Sequence, residues 1–154
     1  MLALFKFLYL ISIVVWVGML IFFSFVAAPA IFATLPRNTA GEVVGAIFPK
    51  YWLIGYICAI VSVISLVVIF LTEGRISYLH FIVLFLMAGL VFYTGLFPAK
   101  RARDIKARLT DTENEHLRAE LEREFKNAHR ESSIMNIITI GLGIVVIFLT
   151  SMRL

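Results

Sequence analysis

Four stretches without a charged side chain constrain this chain more than any motif does. They are residues 7–36, 51–72, 76–99 and 132–152. Each holds the roughly 20 mostly apolar residues that a membrane-spanning helix needs. The reading is an all-α integral membrane bundle of four helices, one domain over residues 1–154, with spans near 4–28, 51–72, 76–97 and 132–152. Composition agrees: 61% of residues are hydrophobic and 16% charged, with mean hydropathy +0.96. A soluble domain is about half apolar and a quarter charged.

The first stretch is preceded by Lys6 and contains Ala27, Ala28 and Ala30, features it shares with a signal peptide. It is about twice the length of a signal core, which runs to about 7–15 residues. A retained span is expected, ending or kinking at Pro29, with Gly18 allowing close helix approach. Thr39 and Glu42 have capping-box spacing. Val43, Val44, Ile47 and Phe48 follow as an apolar stripe. These predict a short interfacial helix from about Ala40 to Phe48, stopped by Pro49. Tyr51 and Trp52 then begin the second span at headgroup depth.

After the third span comes a basic run, Lys100, Arg101, Arg103, Lys106 and Arg108. It reads as a membrane-surface anchor, not a nucleic-acid site. Thr110 and Glu113 again have capping-box spacing, so a helix should start there. Leu117, Leu121, Phe125 and Ala128 make an apolar stripe on a charged helix, and Ile105 and Leu109 offer the nearest partner. The expectation is a helical hairpin over about 99–131, extending spans three and four, its second arm running unbroken into the fourth span. The loops on the hairpin's side carry eleven Lys and Arg; the other side carries Lys6, Arg75 and Arg153. By the positive-inside rule the hairpin is cytoplasmic and both termini lie outside, in a plasma (inner) membrane.

His129, Ser132, Ser133 and Asn136 fall at i, i+3, i+4 and i+7, one face of a helix where it meets lipid. Lipid offers polar groups no partners, so this face must meet protein, water or ligand. Ser24 and Thr94 are expected at similar depth, completing a ligand site or a helix seam. Met19, Cys58 and Met87 fall at nearby depths and could hold a soft metal such as Cu(I), or simply pack. His80, one turn into the third span, and His129 are the candidates for haem ligation. No Asp, Glu or Arg occupies the middle of a span, which argues against an ion-coupled transporter. There is no Ser-His-acid set, zinc spacing or phosphate loop. Cys58 is the only cysteine, so no internal disulfide forms.

Trp16-Val17-Gly18-Met19 through Phe25-Val26, then Leu35-Pro36-Arg37, Gly41, Phe48-Pro49 and Tyr51, joined to His129, Ser132, Ser133 and Asn136, resembles the transmembrane protein 205-like family. The resemblance covers nearly the whole chain. It implies a four-span bundle and names no activity. The first span is more distantly similar to copper-resistance membrane domains and haem-linked relatives. Those open with a Leu-His pair before a Trp-x-Gly-Gly turn; here Leu8-Tyr9-Leu10 and Gly18-Met19 stand instead. The function expected is a non-catalytic membrane component acting through the hairpin and the polar face, on a protein partner or a second copy. The alternatives are a small-ligand or soft-metal binding or transport protein, and a haem- or redox-linked subunit. No cofactor is required by the residues.

Overall fold

The computed structural model describes residues 1–74, 77–110, 112 and 114–152. The elements are α1 (Leu2–Phe22), a π-helical turn (Phe23–Ala27), α2 (Ala28–Thr34), α3 (Arg37–Glu73), α4 (Tyr78–Leu96), α5 (Pro98–Thr110) and α6 (Glu115–Ser151). Among the described residues there is no strand. Four helical stretches are long and apolar enough to cross a membrane: Leu2–Thr34, Arg37–Glu73, Tyr78–Leu109 and Glu115–Ser151. The protein is an integral membrane bundle of four helices.

The side-chain pattern is that of a bundle in lipid. Trp16, Leu20, Leu66, Leu84, Met87 and Val146 fill the interior. Leu53, Ile57, Ile60, Ile64 and Leu71 line the exposed outer face of α3 at helical spacing. In water that apolar stripe would be costly; in a bilayer it is solvated. The 22 residues from Tyr51 to Thr72 carry no charge, and at helical rise they span about 33 Å, one hydrocarbon core. At the end that holds Leu2 and Ser151, Lys6 pairs with Glu73 at 2.7 Å. This is the terminal end; the other, with α2 and α5, is the hairpin end.

Helices approach one another at glycines, though not at Gly18. A Cβ at Gly18 would meet nothing within 4 Å, because that position faces outward. The close contacts are Gly55 against Val91, Gly95 against Tyr56 and Trp52, and Gly143 against Val17 and Met87. At Gly143 a Cβ would stand 2.6 Å from a Val17 methyl.

Each proline expectation meets a different outcome. Ahead of Pro29 the helix widens into the π turn, where the Ala28 N–H bonds the Phe23 carbonyl. Proline brings no N–H, and its ring crowds the carbonyl four residues back; a wider turn relieves both. Pro49 does not stop a helix. Residues 40–48 are helical as expected, but they continue as the first part of α3, 37 residues long. Packing outweighs the local break: Ala40 and Val44 are buried, and the Lys106 ammonium donates to the Gly41 carbonyl at 2.6 Å. Proline inside a membrane helix is tolerated where neighbours re-satisfy the freed groups.

The hairpin forms as expected, with Ile105, Leu121 and Ala128 buried at its seam and α6 running unbroken for 37 residues. Leu117, the first member of the stripe, is exposed. The second arm starts later than the Thr110 spacing suggested. Asn114 is the cap, its Oδ1 accepting from the His116 and Leu117 N–H groups at 3.0 and 3.3 Å. Two hydrogen bonds from one short side chain make the stronger cap. Thr110 ends α5 instead. Glu113, and the Arg75 and Arg153 of the charge count, lie outside the described residues.

Candidate functional site

Two clusters of polar side chains join three helical segments each, one near each end of the span. At the hairpin end Asn136 is the hub. Its Oδ1 accepts from the Tyr51 hydroxyl at 2.9 Å, and its Nδ2 donates to Ser24 Oγ at 2.9 Å. One amide thus ties α6 to α3 and to the π turn after α1. Ser24 reaches it because the π turn re-aims that stretch of helix. Tyr51 is buried, with ring centroids 5.1 Å from Phe23, 6.1 Å from Phe48 and 5.2 Å from Trp52. It is a core residue here, not the headgroup-level ring its position suggested.

The rest of the proposed face does not converge on Asn136. The buried stripe of α6 runs through Ala128, Thr139, Gly143 and Val146. His129 is one residue, about 100°, off that stripe. It is exposed and stacks on Phe125 of its own helix, centroids 6.0 Å apart. Ser133 donates to the His129 carbonyl at 2.9 Å, and Ser132 is half-buried. Thr94 is buried but donates to Leu90 of α4 at 2.6 Å. Its neighbour Tyr93 donates to Glu131 at 2.8 Å; the pairing of His80 with Thr150 and of Met87 with Gly143 across α4 and α6 sets Thr94 level with Asn136, as expected, although its hydroxyl is spent on its own helix.

The second cluster was not anticipated. At the terminal end the Tyr9 hydroxyl is hydrogen-bonded to His80 Nε2 and stands 3.3 Å from Thr150 Oγ1. Thr150 also lies 3.5 Å from His80 Nε2 and donates to the Val146 carbonyl at 2.7 Å. That bond uses the only Thr150 proton, so Thr150 can meet Tyr9 and His80 only as an acceptor. The cluster links α1, α4 and α6. A pocket of about 380 Å³, lined by Ser77, His80, Leu149 and Met152, adjoins it. Counting residues inward from the span ends places Tyr9, His80 and Thr150 together; reading His80 alone hid them.

The sulfur residues sit at two seams. Met19 lies against Gly55 and Met87 against Gly143, while Cys58 is buried in α3. Among the described residues no three His, Cys, Asp or Glu side chains form a metal-holding group. The basic run divides as well. Lys106 turns inward to Gly41, Arg101 pairs with Glu124 at 3.6 Å, Arg103 is half-buried, and Lys100 and Arg108 are exposed. The indole N–H groups of Trp16 and Trp52 are buried without a hydrogen-bond partner among the described residues.

Fold and polar seams define a four-helix integral membrane protein whose spans continue into a charged helical extension. A family model described as Domain of unknown function (DUF4149) matches residues 11–108, nearly two thirds of the chain. The chain belongs to that family. No curated protein and no solved structure matches it.

Proposed function

We propose that the protein is a non-catalytic membrane component that presents its helical hairpin to a protein partner and uses the Asn136 seam to hold that hairpin rigid to the bundle. The observation that carries this reading is α6, one helix from Glu115 to Ser151. At helical rise it is about 55 Å long, well beyond the roughly 30 Å hydrocarbon core. Its outer half is charged and exposed, with Glu122, Arg123 and Lys126 turned to solvent. Asn136 lies between the two halves and has partners at both ends of its amide, which favours a seam over an open ligand wall. Under this reading the chain is a transmembrane protein 205-like member. The hairpin is cytoplasmic, both termini lie outside, and the membrane is the plasma (inner) membrane. A second copy of the chain is the other occupant the hairpin would suit.

The soft-metal reading would need Met19, Cys58 and Met87 to share a ligand, yet Met19 and Met87 pack at different glycine seams. The haem reading would need His80 to give up Tyr9, or exposed His129 to find an axial position on the hairpin.

Site-specific photo-crosslinking from Glu122 and Lys126 tests the proposal in whole cells. The expected result is an adduct of defined mass from these positions and none from lipid-facing Ile147. Adducts absent from the hairpin, with a metal or chromophore retained by the purified protein, would overturn it. Orientation is tested in a Cys58→Ser background. Single cysteines at exposed Asn38 and Asn114 should be labelled from the same, cytoplasmic, side.

A further inference from the structure

We propose that α2 lies within the membrane, its outer surface covered by acyl chains of the leaflet at the hairpin end. The hydrophobic wall of the bundle then stands about 12 Å higher on the α2 side than on the α6 side. The leaflet thickens locally, or the bundle tilts, to meet that wall.

The Asn136 seam sets the heights. Ser24 bonds to Asn136 at 2.9 Å, so the two residues share a level. Going outward from Asn136 along α6, the first charged side chain is Glu131, five residues away, about 7 Å at helical rise. Going outward from Ser24, the first is Arg37, thirteen residues away, about 19 Å on the same count. The chain is helical from Ser24 to Thr34, and α2 packs along α3. The segment therefore continues outward from the span.

The surface of α2 is that of a helix in lipid. Pro29, Ala30, Phe32, Ala33 and Thr34 are exposed over more than half of its circumference, and none of its residues is buried. A water-facing helix is apolar along one stripe and polar opposite; a helix apolar all round belongs in a core or a bilayer. Thr34 carries the only side-chain hydroxyl between Ser24 and Thr39. It is turned back on its own helix, donating to the Ala30 carbonyl at 2.8 Å. The Leu35 N–H likewise bonds the Ile31 carbonyl at 3.0 Å. Internal pairing of this kind is what hydrocarbon demands of a backbone and its hydroxyls.

Continuity decides between lipid and a protein occupant. The exposed face of α2 prolongs the lipid face of α1, with Phe22, Phe25 and Val26 leading to Phe32. No charged residue interrupts it from Phe7 to Pro36. A protein interface carries a polar rim around its apolar centre, and α2 has no such rim. On the adjoining α3, Glu42 is exposed about 160° round the helix from buried Val44, away from the packed side. Arg37 closes the wall with a cation, the residue type suited to headgroup phosphates.

The test is spin-label accessibility in the whole protein, with Cys58→Ser and one new cysteine, reconstituted in dioleoylphosphatidylcholine vesicles. Collisions with oxygen, which concentrates among acyl chains, are compared with collisions with a water-soluble nickel chelate. Ala33→Cys reports on α2. Asn127→Cys is its height-matched control, because Ala33 lies nine residues outward from Ser24 and Asn127 nine outward from Asn136. Ile57→Cys, on the exposed face of α3, is the lipid standard. The oxygen-to-nickel ratio at Ala33 should approach that at Ile57 and exceed that at Asn127 several-fold. Equal ratios at Ala33 and Asn127 would overturn the proposal, since the wall would then be level. A label at Ala33 shielded from both reagents would also overturn it, since protein, a second copy or a partner, would cover α2. If Ala33→Cys does not fold, Ala30→Cys and its height-matched partner Arg130→Cys, both at exposed positions, decide by the same comparison.

Discussion

Asn136 is the residue on which three helices agree, and its contribution can be measured. Interhelical hydrogen bonds in membranes average about 0.6 kcal/mol and reach about 1.7. Asn136→Leu breaks two of them and leaves Tyr51 and Ser24 without their partner, so a loss of about 1–2 kcal/mol is expected. Tyr51→Phe should cost less. The double variant should fall short of the sum, because the bond can be lost only once. Steric-trapping unfolding in micelles gives all three values; full additivity would mean the two side chains are not coupled. The glycines offer a sharper contrast. Gly143→Ala drives a methyl into Val17 and should cost about 1–3 kcal/mol, most of it recovered by Val17→Ala. Gly18→Ala meets nothing and should be neutral or slightly stabilising. Sequence reading picked out Gly18 and passed over Gly143, because a glycine shows its use only once the neighbouring helix is in place. It likewise put Ser24 and Thr94 at the depth of Asn136; Ser24 bonds to Asn136, while Thr94 bonds to its own helix and His129 turns outward. Helical spacing says which residues share a face, not which face turns inward.

At the scale of elements, apolar run length carried most of the fold. Four uncharged runs gave four spans, and the stripe from Leu121 to Ala128 foretold the α5–α6 seam. Local signals did worse wherever packing opposed them. Pro49 breaks an isolated helix but not α3, whose first turns are held by buried Ala40 and Val44 and by Lys106. Removing that hold should restore the local preference. Lys106→Ala frees the Gly41 carbonyl, and hydrogen exchange of residues 38–48 is expected to quicken while residues 55–70 stay protected. Equal protection in both segments would show that helix continuity across Pro49 owes nothing to α5. The hairpin seam makes a companion test. Leu121 is 3% exposed, so Leu121→Asp buries an unpaired charge in the α5–α6 seam. The expected result is protease cleavage between α5 and α6 in the variant, with the four spans intact.

Across the whole molecule, the two polar seams are separated by a largely apolar interior. Tyr9 and Ser24 are 15 residues apart on the first helical stretch, about 22 Å at helical rise. Between their levels lie Ile13, Trp16, Val17 and Leu20, all buried. Several buried hydroxyls turn back on their own helices: Ser12 to Leu8, Ser62 to Ala59 at 3.0 Å, Thr139 to Met135 at 2.8 Å. None of these bonds passes from helix to helix, so they do not make a relay, and no Asp, Glu, Lys or Arg occupies the middle of the interior. A charge crossing that layer would face a cost of several kcal/mol without a group to carry it. The bundle on its own is therefore expected to be closed to protons and ions. Proteoliposomes holding a pH-sensitive dye, driven by a potassium diffusion potential, should take up protons no faster than protein-free vesicles. The same should hold for His80→Gln and Asn136→Leu, since each seam ends where it stands. A proton flux that is present in the unmodified protein and lost in both variants would reverse this account. The seams would then be the two mouths of one path, with the interior opening between them.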